Sequence, residues 1–80
     1  MSIGIGRDAA LRELKNALRA LAEEQDQPGR AKKMQLRDKV KKAAFIAEGE
    51  GAITFQRMSQ AYDWADAIAS GVAAERGYLR

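Results

Sequence analysis

The sequence predicts an all-α protein: an antiparallel helical hairpin over residues 9–48, then a long third helix over 54–76, forming a small bundle completed by dimerisation. Three observations carry this. Apolar residues recur at three- and four-residue intervals in three segments, and glycine and proline cluster between those segments. The chain is 80 residues long with no cysteine and no histidine, so neither disulfides nor the usual transition-metal ligands supplement a small core. Association of copies is the remaining common route to stability, and a homodimer is the expectation.

The first helix is predicted from about Ala9 to Gln25, behind a flexible arm of residues 1–7. Asp8 is a suitable N-cap, and Leu11, Leu14, Leu18 and Leu21 form one apolar stripe with Ala10 and Ala17 beside it. Two heptads are too few for a free coiled coil, so this seam must be buried.

Pro28-Gly29 separates the first helix from the second, with Pro28 suited to a first helical position and Asp26 or Gln27 to its cap. The second helix is predicted over 29–48. Leu36, Val40, Ala43 and Ala47 make a stripe able to pack on the leucine seam, and Met34 and Phe45, on nearly the opposite side, are read as a second core face. Glu48-Gly49-Glu50-Gly51 closes this helix, because glycine supplies left-handed backbone.

Ala52-Ile53-Thr54-Phe55 is β-prone and could pair with Ile3-Gly4-Ile5, but it is assigned to the loop since an isolated two-strand pairing is marginal. Thr54 can cap the third helix. There Phe55, Met58, Tyr62, Ala65, Ala69 and Val72 repeat the helical spacing, Ala61 and Ile68 broaden the stripe, and Ser70-Gly71 offers a kink before Gly77.

No run approaches the roughly 18 apolar residues of a membrane span, and the first seven residues lack the order of a signal peptide. A cysteine-free chain of this kind is expected to be cytoplasmic, with no membrane partner. Without histidine and cysteine the commonest nucleophiles, general bases and zinc ligands are missing, so no catalytic residue, metal or cofactor is assigned. Asp63 and Asp66 are near neighbours on the polar face of the third helix and read as a solvated pair. Gly4-Ile5-Gly6-Arg7-Asp8-Ala9 matches a phosphate-binding pattern only in form, because no strand precedes it and no βαβ unit follows.

Charge is segregated. The formal net charge is +3, yet residues 30–42 hold seven basic residues against one acid, while 1–29 hold four against five and 43–80 three against five. Arg30, Lys33, Arg37 and Lys41 align as one cationic row, with Lys32, Lys39 and Lys42 on another side. That row is the candidate surface for an anionic partner, either an acidic protein or a nucleic acid. Neutralising four phosphates would give a salt slope of about −3.6 on duplex DNA, and with Gln35 alone as a base-edge reader such binding would be sequence-tolerant. A helix-turn-helix through the second and third helices fits poorly, since Asp63 and Asp66 would face the groove.

Trp64 lies at the edge of the third-helix stripe, with Gly71 two turns on and Ala67 and Ile68 adjacent. Trp64, Ala67, Ile68 and Gly71 are thus a candidate protein interface, although a tryptophan here serves equally well as core. The expectation is a small non-catalytic regulatory or adaptor protein that binds another protein as a homodimer, with nucleic-acid binding through the second helix as the alternative.

Overall fold

The structure is a computed structural model and describes residues 5–25, 27 and 29–70. Among these residues three α-helices follow in order: α1 (Arg7–Glu24), α2 (Arg30–Gly49) and α3 (Phe55–Ala69). Both α1 and α3 pack extensively on α2 but touch each other little, so α2 is the central element of a small helical bundle. There is no strand among the described residues, and none of their helices is long and apolar enough to cross a membrane.

The first helix starts earlier than the sequence predicts. Gly6 occupies the N-cap with φ 87° and no side-chain cap, Arg7 is already helical, and Asp8 falls in the first turn. Its carboxylate there opposes the positive end of the helix dipole instead of capping it. For α2 the N-cap is Gly29, in extended conformation, and not Asp26 or Gln27. Asp26 and Pro28 lie outside the described residues.

The end of α2 follows the glycine expectation. Gly51 has φ +78°, and the Gly51 N–H donates to the Glu48 carbonyl at 3.0 Å while the Ala52 N–H donates to the Ala47 carbonyl at 2.8 Å. These bonds occupy carbonyls that the helix leaves open. Residues 52–54 then lead directly into α3, where the Thr54 hydroxyl accepts from the Arg57 N–H at 3.1 Å. The predicted extension of α3 to residue 76, with Gly71, Val72 and Gly77, lies outside the described residues.

One apolar cluster joins the helices. From α1 it takes Ala10, Leu14, Leu18 and Leu21, from α2 Val40, Ala44 and Ala47, and from α3 Met58, Ala61, Trp64, Ala65 and Ile68. The leucine seam is buried as its spacing implies, apart from a half-buried Leu11. On α2 the buried line runs through Ala44, leaving Leu36 and Ala43 half-buried beside it.

The α3 face is rotated from the predicted stripe. Trp64 and Ile68 are inside, Tyr62 is half-buried and Phe55 is exposed. Alanines lie on both sides of that helix, so the larger apolar area of Trp64 and Ile68 decides which side turns inward. Phe45 also departs from expectation: it is 65% exposed and not core. Small Ala44 and Ala47 let neighbouring helices approach α2 along one side, and the side bearing Phe45 is left uncovered.

Candidate functional site

The cationic row on α2 is only half available. The Arg37 guanidinium donates to Asp38 Oδ1 from Nη2 at 2.9 Å and from Nε at 3.1 Å. Its Nε also lies 4.0 Å from Asp66 Oδ1, and Lys41 Nζ lies 2.8 Å from that same oxygen. Lys41 Nζ further sits 5.6 Å from the centroid of the Tyr62 ring, within cation–π range. Two of the four cations are therefore held by carboxylates of this chain. Glu23, Glu24, Glu48 and Glu50, described acids close to the ends of α2 in sequence, take no part in these pairs.

Asp66 is thus not half of a solvated carboxylate pair but the acceptor that ties α3 to α2, while Asp63 is exposed. Arg30 and Lys33 at the other end of the row have no carboxylate within ion-pair distance among the described residues, nor do Lys32, Lys39 and Lys42.

The second predicted surface is mostly interior. Trp64 is 8% exposed and Ile68 2%, both within the core cluster, and Ala67 is half-buried. Gly71 lies outside the described residues. Of the two roles open to Trp64, packing within its own chain is the one it takes.

The large apolar residues left in solvent among the described residues are elsewhere: Ile5, Phe45, Ile46 and Phe55. Phe45 is one turn beyond Lys41 on α2, and Phe55 shares a face of α3 with Tyr62 and Asp66, at seven- and eleven-residue separations. Since Lys41 contacts both Tyr62 and Asp66, the two phenylalanines belong to the side of the protein where α2 meets α3.

Between α1 and α2 runs an open groove of about 610 Å³. Ala10, Glu13, Ala17 and Ala20 line it from α1, and Leu36, Lys39, Ala43 and Ile46 from α2, with Ile5, Asn16 and Lys42 at its edges. Both walls follow the same three-four-three spacing. Glu13, Ala17 and Ala20 each immediately precede a buried leucine, and Lys39, Ala43 and Ile46 immediately precede Val40, Ala44 and Ala47. The groove face is therefore about 100° around each helix from the core face. Sequence reasoning missed it because three of its lining residues are alanines counted with the core stripe. The repeated spacing one residue upstream of the core positions was the available signal.

Comparison with protein-family models, with curated proteins and with solved structures finds no match for this chain.

Proposed function

We propose that this is a small non-catalytic protein, regulatory or adaptor in role, that acts by binding another protein and assembles as a homodimer. The observation that supports this reading is the pair Phe45 and Phe55, 65% and 67% exposed on the α2–α3 side. Aromatic side chains are enriched at binding hot spots, and exposed apolar patches on small proteins mark interaction surfaces. Lys41, Tyr62 and Asp66 lie beside them as a polar border, and Arg30 and Lys33 add positive charge suited to a partner with an acidic surface.

Dimerisation is favoured by the core itself. Among the described residues, six of the thirteen buried hydrophobics are alanines, which remove little apolar surface from water, so one copy alone has modest stability. In this reading α1 and α2 form an antiparallel hairpin. The five residues 25–29 reach about 20 Å when fully extended, short of the roughly 27 Å a parallel return along α1 would need. A cytoplasmic setting suits the cysteine-free chain.

The test is affinity capture with the wild type and a Phe45→Ser, Phe55→Ser double variant, helicity being checked by circular dichroism. A protein held by the wild type and lost with the folded variant supports the reading. Equal capture by both removes its basis.

Nucleic-acid binding through α2 is the second reading, favoured by Arg30, Lys33 and the exposed Lys32, Lys39 and Lys42. With Arg37 and Lys41 engaged by Asp38 and Asp66, the row retains two charges, Arg30 and Lys33, that no carboxylate of the described residues pairs. Its salt slope on duplex DNA should accordingly be about −1.8.

A further inference from the structure

We infer that the groove between α1 and α2 is the self-association surface, closed by the same groove of a second copy to form a four-helix bundle. This rests on the homodimer reading above and assigns it a face and a register. Taken as antiparallel, the lining residues pair in reverse order with matching spacing, which sets Ala10 level with Ile46, Glu13 with Ala43, Ala17 with Lys39, and Ala20 with Leu36. The α1 wall is small and carries an acid. The α2 wall is large and carries bases.

A two-fold axis running along the groove preserves each level and exchanges the walls, so α1 of one copy faces α2 of the other and is antiparallel to it. Leu36 then lies over the partner's Ala20, large against small, and Ile46 comes in at the level of the partner's buried Ala10. Glu13 meets the partner's Lys42, and by symmetry the pair forms twice. Alanine at positions 17, 20 and 43 permits close approach at the usual 8–10 Å between helix axes. Ile46, 37% exposed in the single chain, and Ile5, 52% exposed, would both lose contact with water. The same patch serves both copies, as an isologous interface requires.

The charge pair provides a test that leaves the core untouched, because Glu13 and Lys42 are both exposed. Sedimentation equilibrium of the full chain should give twice the 8.8 kDa chain mass. Glu13→Lys alone and Lys42→Glu alone place like charges opposite one another twice, and each should weaken dimerisation by about tenfold to a hundredfold. An equimolar mixture of the two variants restores both pairs in a heterodimer and should recover wild-type affinity. Ile46→Glu should yield a folded monomer.

A wild type that stays monomeric at high concentration overturns the homodimer reading and this inference together. A wild-type dimer that none of the three substitutions weakens overturns the groove alone, as does a mixture that fails to recover. If the wild type is monomeric and Ile46→Glu abolishes capture of a foreign protein, the groove belongs to that protein and not to a second copy.

Discussion

Lys41 Nζ lies 2.8 Å from Asp66 Oδ1, and this ion pair joins α2 to α3 across a half-exposed surface. Its partners keep 34% and 46% of their side-chain surface in solvent, so water screens the attraction. The pair is worth little to stability and much to the charge that α2 presents.

Asp66→Ala should therefore lower unfolding free energy by under about 1 kcal/mol, read from urea denaturation. The same substitution frees Lys41 and leaves Arg37 with Asp38 alone. Elution from heparin should move to higher salt, and any duplex-DNA slope should steepen from about −1.8 toward about −2.7. Unchanged elution would mean that α2 does not carry the anionic-partner surface.

Thr54→Ala removes the hydroxyl that accepts from the Arg57 N–H at the start of α3. A loss of about 1 kcal/mol is expected, visible as a fall of about 4–8 °C in Tm for a domain of this size. Thr54→Ser should keep most of the stability, since the accepting oxygen remains.

Glycines two residues apart should respond in opposite directions. Gly49 is helical with nothing within 4 Å of a built Cβ, so Gly49→Ala should stabilise by about 0.5–1 kcal/mol. Gly51 has φ +78°, and Gly51→Ala should destabilise by about 1 kcal/mol through backbone strain, because the nearest atom to the new methyl, Arg7 Nε, is at an ordinary 3.8 Å. Thermal unfolding of the two variants side by side separates the effects.

Trp64 is the single tryptophan and is 8% exposed, so the native protein should emit at short wavelength and resist quenching by iodide. Leu14→Ala, at a fully buried position, should cost about 2–5 kcal/mol, enough to shift the emission toward that of the unfolded chain. Native emission already at the unfolded wavelength would contradict the placement of Trp64.

The α1 seam was legible because leucine leaves no ambiguity about which side of a helix is apolar. On α3 the alternation of alanines with Phe55, Tyr62, Trp64 and Ile68 offered two overlapping stripes, and the winner depended on which side chains α2 could cover. Phe45 misled for a related reason. A large apolar residue on a central helix looks like core until it is known that both neighbours share one side. The role of Asp66 was beyond reach from spacing alone, because a pair between helices depends on how they face each other. Thr54 and the glycine turn were readable, since caps and left-handed backbone are local chemistry.

The one-residue offset between groove and core has a further effect on folding fidelity. If α1 turned so that each position took the place of the next, Glu13 would enter the interior where Leu14 belongs. The matching error on α2 would drive Lys39 into the place of Val40. On α1 the charge only adds to the leucines at 14, 18 and 21, which the same turn would expose, whereas on α2 Ala43 and Ile46 could stand in for Ala44 and Ala47, so Lys39 is the key that sets its rotation. A chain with Lys39 replaced by alanine should bury α2 in more than one orientation while α1 keeps its leucine face.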